Sequence, residues 1–168
     1  MEGARLATEE DLPQLAALAA EAVAEQAEAR GGPVWSQRES RPLPAGPSLA
    51  AALADPRHLV LAGTIDGAPI GYAVARLDAL RNGKALGVVE DIFVLPEGRA
   101  VAVGEALIDQ VVAWCRDHGC MGIDALVLPG NRDTKNFFET FGFTARALVV
   151  HHRLEPEPEP EPAPAPRA

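Results

Sequence analysis

The chain has 168 residues, of which 48% are hydrophobic and 23% charged, and carries a formal net charge of −9. That length fits one domain around one core. The negative balance without a Lys/Arg cluster argues against a nucleic-acid binder. Apolar runs such as Leu59 to Ala62 fall far short of the about 20 residues that cross a membrane. The polar, acidic start MEGARLATEEDLPQ shows no secretory signal. Cys115 and Cys120 make neither a disulfide framework nor a metal-ligand pattern with the four His. The expectation is a cytoplasmic protein with no metal and no membrane or nucleic-acid partner.

In chain order, Ala4 to Ala7 read as a short strand. Thr8 and Asp11 have the spacing of a capping box. Leu12, Leu15, Ala16, Leu18, Ala19, Ala22 and Val23 then recur at helical spacing, so a helix is predicted to about Arg30. Gly31 to Pro47 reads as a long loop, and Ser48 opens a short helix ending before Pro56. The period then changes. HLVLAGTI, PIGYAVARL and ALGVVEDIFV are three strands joined by the hairpin signals Asp66-Gly67 and Asn82-Gly83. Val103, Ala106, Leu107, Val111, Val112 and Cys115 mark a helix that Gly119 ends. GIDALVL is a strand, Asn131 to Phe141 a short helix, and FTARALVVHH a last strand. Hairpins followed by a strand–helix–strand unit imply an α+β fold, with a mixed sheet and helices on both faces.

From Glu155 the chain alternates as EPEPEPEPAPAPRA. Every second residue there lacks an amide proton, so an extended, solvated tail is expected at 155–168 and a folded domain at 1–154. Without the tail's four carboxylates and Arg167 the body is still acidic, at −6.

One stretch carries chemistry. Val88 to Val94 form a buried strand that runs through Pro96 and Gly98 to Arg99, then through small residues into an amphipathic helix. The amides at 100 to 104 are those a helix leaves unpaired at its start, so they suit an anion such as a pyrophosphate, with Arg99 adding positive charge. An ordinary strand-to-helix turn with a solvated Arg is the plainer alternative.

These residues resemble the GNAT superfamily of acyl-CoA N-acyltransferases. VLPEGRAVAVGEAL is similar to the signature V-x-P-x-x-[QR]-x-x-G-x-[GA]-x-x-L, with Val94, Pro96, Arg99, Gly104 and Leu107 matching and Ala102 in place of its first glycine. NRDTKNFFETFGF resembles N-x-x-A-x-x-F-Y-x-x-x-G-F through Asn131, Phe137, Gly142 and Phe143. The resemblance spans Arg5 to about Leu154. It implies a mostly antiparallel sheet of six to seven strands and acetyl-CoA as cosubstrate. It also implies that the backbone of Ile92, Phe93 and Val94 pairs with the pantetheine arm, where this strand splays from its neighbour. Arg99, Ala100, Val101, Ala102, Val103, Gly104 and Glu105 would hold the pyrophosphate. Asn131, helped by Asn136, would bond the pantetheine, although Asn131 also suits a helix N-cap.

Amine attack on a thioester needs a neutral amine, so a base must take a proton. EDIFV is similar to the matching strand of spermidine/spermine-type diamine acetyltransferases, where an acidic pair faces the acceptor. Glu90 is the favoured base and Asp91 the second choice. Strand alternation predicts that only one of them faces the amine. The family's usual Tyr acid is Phe138 here, which has no proton to give. Trp35, Arg38 and Glu39 are candidate acceptor contacts, although a Trp in such a loop more often packs on the core; Tyr72 is read first as core or cleft wall, with a replacement acid as the alternative. The leading expectation is N-acetylation of a small-molecule amine, cationic in keeping with the acidic body, or of a peptide amine; a homodimer is expected. The alternative is a non-catalytic acyl-CoA sensor or scaffold with a GNAT fold.

Overall fold

In the computed structural model, which describes residues 1–156, five strands form one sheet in the order β1-β2-β3-β4-β5. They are β1 (Glu2–Leu6), β2 (His58–Ile65), β3 (Ala68–Ala79), β4 (Ala85–Val94) and β5 (Cys120–Ala125). The first four pair antiparallel, and β5 lies parallel to β4. The helices are α1 (Leu12–Ala27), α2 (Gly32–Arg38), α3 (Gly46–Ala54), α4 (Val103–Asp117) and α5 (Arg132–Thr140). Asp66-Gly67 and Asn82-Gly83 both turn as expected, with Gly67 at φ 85° and Gly83 at φ 81°.

Alternation along the strands sends neighbouring side chains into two cores. Val60, Ala62, Tyr72 and Val74 pack under α1 and α3, against Leu15, Leu18, Ala19, Leu49 and Ala52. Leu59, Leu61, Ala73 and Ala75 pack under α4, against Val103, Leu107, Ile108, Val111 and Cys115. Burying one such branched side chain is worth roughly 1.5–3 kcal/mol. The α4 stripe at i, i+4, i+5, i+8 is therefore what fixes that helix on the sheet.

The start of α1 is locked by the expected capping box. Asp11 accepts from the Thr8 amide at 2.8 Å and from the Arg5 fork at 2.7 and 2.8 Å. That fork ties β1 to the helix. Its hydrogen bonds, with the Thr8 amide and the Arg5 charge adding to them, hold the Asp11 carboxyl down at about 2, against an ordinary value of 3.8.

Three expectations need correction. The loop predicted over Gly31 to Pro47 contains α2, because Pro33 falls in a first turn, where its missing amide costs nothing. The turn into α2 needs glycine. Gly31 has φ 87°, and a Cβ on Gly32 would lie 2.3 Å from the Ala27 carbonyl oxygen. The last strand predicted at FTARALVVHH is absent: 143–152 pair with no strand among the described residues, which lowers the strand count to five. Leu148, Val149 and Val150 are 87–93% exposed, so this stretch has strand-forming side chains but no neighbour to pair with. The third correction concerns β4 and is given with the site. The boundary expected at Leu154 lies at the end of this exposed stretch, and 157–168 of the expected tail lie outside the described residues.

Candidate active site

The sheet opens between β4 and its edge strand β5. β4 pairs with β5 from Ala85↔Cys120 to Val89↔Ala125 and then continues alone to Val94. Glu90 to Val94 therefore keep β3 on one side and, among the described residues, have no strand on the other. Backbone groups on that side can take an extended ligand as a further strand.

A β-bulge sits at the point of parting. Val74 faces Asp91 and Ala75 faces Val89, so Glu90 is the extra residue. Parity reports the same shift: Val89 lies in the α4 core, whereas Phe93, an even number of residues on, lies in the α1 core. Simple alternation predicted that Glu90 and Asp91 face opposite ways. The bulge instead turns both carboxylates to the α1 face, where both touch Arg41.

That contact is the centre of a charged cluster. Arg41 donates through Nε to Asp91 at 2.8 Å, through a terminal nitrogen to both carboxylates, and through the other to Ser48 Oγ at 3.1 Å. Glu90 also accepts from Arg76 at 3.0 Å, and His58 Nε2 stands 3.6 Å away. The side chains of Arg41 and Asp91 are 6% and 12% exposed, and that of Glu90 is 23% exposed. Burial pushes the Asp91 carboxyl above its ordinary range, with the Arg41 charge opposing. The Tyr72 hydroxyl donates a hydrogen bond to Asp91 at 3.3 Å, and burial raises its phenol well above its ordinary value. A hydroxyl so placed suits the role of a fixed donor to Asp91 and not that of an acid for a leaving thiolate.

A cleft of about 480 Å³ runs over this cluster. Its walls include Trp35, Arg38, Glu39 and Arg41 on one side, Tyr72, Arg76 and Val88 to Ile92 on its floor, and Thr134 and Phe138 beyond the β4–β5 opening. Phe138 is 4% exposed and packs edge-on to Phe137, with Phe143 on its other side.

At the end of β4 the chain turns through Pro96–Gly98 into α4. The amides of Val101 and Val103 are used within this turn, whereas those of Ala100, Ala102, Gly104 and Glu105 have no protein acceptor among the described residues. Four unpaired donors at a helix start fit a pyrophosphate. A Cβ on Gly104 would lie 3.3 Å from Phe137, tighter than ordinary packing. The Arg99 guanidinium is otherwise engaged: it binds Glu25 of α1 at 2.6 and 2.9 Å and the Val94 carbonyl at 2.9 Å, 5.5 Å over the Phe93 ring. Asn131 caps α5 by accepting from the Thr134 amide at 3.1 Å. Asn136 is exposed on the same helix.

Sequence reasoning missed Arg41, Arg76 and His58. Arg76 carried a signal, since it lies two residues from Val74 on the face shared with Tyr72, below an acidic pair that needed a counter-charge. Arg41 carried none, because nothing local links it to residues 49 and 50 positions away.

A mixed sheet parted between β4 and β5, with an amide cradle at one end and paired carboxylates at the parting, defines an acyl-CoA-dependent acyltransferase. The comparisons with known proteins agree. Residues 25–143 match the acetyltransferase (GNAT) family. The chain is 32% identical over 115 residues to an aminoglycoside N(6')-acetyltransferase type 1 of Stenotrophomonas maltophilia, covering 64% of this chain and 75% of that one. Its fold superimposes on a putative acetyltransferase from Agrobacterium tumefaciens with a TM-score of 0.66 at 20% identity, covering 90% and 99% of the two chains. It also superimposes on AAC(6')-Iy in complex with a CoA bisubstrate analog, with a TM-score of 0.68 at 21% identity and coverages of 92% and 99%. The chain belongs to the GNAT acetyltransferase family. It is an N-acetyltransferase that uses acetyl-CoA.

Proposed function

We propose that the protein acetylates a primary amine of a small molecule, with the amine seated at Glu90 and Asp91 and acetyl-CoA lying between β4 and β5. The observation that carries this reading is the bulge, which aims two carboxylates into one cleft where β4 loses its partner. The resemblance of the chain to an aminoglycoside acetyltransferase favours a small polyamine-like or aminoglycoside-like acceptor over a peptide.

Bound acetyl-CoA supplies the thioester. The chain's own residues do the rest in this reading. The free backbone of Ile92 to Val94 pairs with the pantetheine, and Asn131, with Asn136 on the next turn, lines the opposite bank. The amides of Ala100, Ala102, Gly104 and Glu105 take the pyrophosphate, while Arg99 steadies the cradle by joining Val94 to α1. Val101 and Val103 shape the turn. Glu90, the more exposed carboxylate, accepts the amine's proton. Asp91, buried beneath Arg41 and Tyr72, holds the cation in place.

The test is Glu90→Gln. Turnover should fall by about a hundredfold, the usual worth of a positioned base, with acetyl-CoA affinity in calorimetry unchanged. Full turnover in this variant, with loss in Asp91→Asn, moves the base to Asp91.

We also propose a homodimer held by the exposed stretch 144–154. Leu148, Val149, Val150 and Leu154 are 87–93% exposed, next to a β5 edge where Met121 and Leu126 are also bare. Arg146 tethers the stretch to Asp124 of β5. An unpaired apolar stretch beside a sheet edge suits a second copy. Sedimentation should give a dimer for the full chain and a monomer after truncation at Phe143; a monomeric full chain rejects the idea. No helix among the described residues is long and apolar enough to cross a membrane. Both cysteines are free, which fits the cytoplasmic location we propose.

A further inference from the structure

The acidic pair already holds a cation. Arg41 reaches Asp91 with Nε and both carboxylates with one terminal nitrogen, and its side chain is 6% exposed within the cleft. It comes from an unusual place. Residues 41–44 lie in no helix or strand, and none of their backbone groups makes a backbone hydrogen bond among the described residues. Pro42, Leu43 and Pro44 are exposed, so Arg41 alone in this segment reaches inward. Its side chain is tied to the rest of the protein by Glu90, Asp91 and Ser48. Before the segment, Ser40 is bonded back to Trp35 and Ser36; after it, Ala45 is buried. Movement between these two anchors would cost few contacts, and local opening follows where contacts are few.

We infer that Arg41 occupies the seat of the acceptor's ammonium, and that a cationic amine enters by displacing the Arg41 guanidinium from Glu90 and Asp91. This rests on the reading that those carboxylates seat the amine. Asp91 has no cation but Arg41 among the described residues, and a buried carboxylate without one is costly, so Arg41 supplies the charge while the cleft is empty. An ammonium in the same place would supply it instead and set Arg41 free to swing out with residues 41–44. The exchange is near-isoelectric, so the protein avoids the desolvation cost in both states. It also sets specificity. An amine competes with an internal cation, and only one that brings its own positive charge and several donors to the pair displaces it. Neutral or singly bonded amines are held off. Arg76 and His58 remain on Glu90 throughout, which keeps that carboxylate in place during the exchange.

The test uses neamine as a multivalent cationic probe and n-butylamine as a simple one, on the wild-type full chain and on Arg41→Ala. Calorimetry should show neamine binding at least tenfold tighter to the variant, with n-butylamine gaining too. Methylguanidinium chloride should raise the thermal midpoint of Arg41→Ala and compete with neamine for it. A purely structural Arg41 gives the first of these effects without the competition. In the wild type, the Nε–H resonance of Arg41 should move to its solvent position as neamine saturates, a readout that does not depend on the variant's folding. Unaltered neamine affinity in Arg41→Ala, simultaneous binding of neamine and methylguanidinium, an unmoved Arg41 resonance in the neamine complex, or no neamine binding to either protein each overturns the inference. Acetyl-CoA binding is measured in parallel. If it persists while displacement fails, the error lies with Arg41, and if it is lost, the acetyl-transfer reading of the site falls.

Discussion

Replacing Asp91 by Asn leaves a guanidinium that is 6% exposed facing a neutral amide. Breaking a buried pair by removing one partner costs about 3–5 kcal/mol, because the remaining charge stays desolvated. Arg41 keeps Glu90 at 3.2 Å and Ser48 at 3.1 Å, which places Asp91→Asn at the low end, about 3 kcal/mol. For a chain of this length that lowers the thermal midpoint by roughly 6–12 °C. Arg41→Met should cost a similar amount, since it strands Asp91 beneath α1. The double variant Arg41→Met/Asp91→Leu removes both charges and should recover to within about 1 kcal/mol of the parent. With Asp91→Leu as the matching single variant, urea unfolding of the parent, both singles and the double then gives a coupling energy of about 5 kcal/mol, the sum of the single costs less that of the double. Single costs below about 1 kcal/mol that simply add are the behaviour of an exposed ion pair, and would refute the buried cluster.

Two further expectations concern the start of α1 and the cradle. Asp11 is held at about 2 against an ordinary 3.8, so its lowered value favours the folded state by about 2 kcal/mol above pH 4, and this is lost as pH falls through about 2. Arg5→Met should flatten that acid slope in a pH series of unfolding curves; an unchanged slope means the Arg5 fork contributes nothing. Gly104→Val should weaken acetyl-CoA at least tenfold, about 1.4 kcal/mol, with circular dichroism unchanged. Its Cβ would already stand 3.3 Å from Phe137 and its methyls would crowd the free amides, so unchanged affinity removes the cradle from the site.

Much of this protein follows from local sequence. The hairpins at Asp66-Gly67 and Asn82-Gly83, the stripe of α4 and the capping box at Thr8 and Asp11 depend on residues a few positions apart, and they form as the sequence predicts. The unpaired amides before α4 belong to the same class, because any helix start leaves them. Tertiary structure decided what local patterns cannot hold. The facing of Glu90 and Asp91 depends on one extra residue in the register with β3, and a period of two inverts every side chain beyond it. The counter-charge for that pair comes from Arg41, 49 and 50 positions away, carried by a segment with no pattern of its own. FTARALVVHH has the composition of a strand and forms none, because a strand exists only where another backbone lies beside it. Element and motif were written in the sequence; facing, pairing and charge balance came from which distant groups the fold brought together.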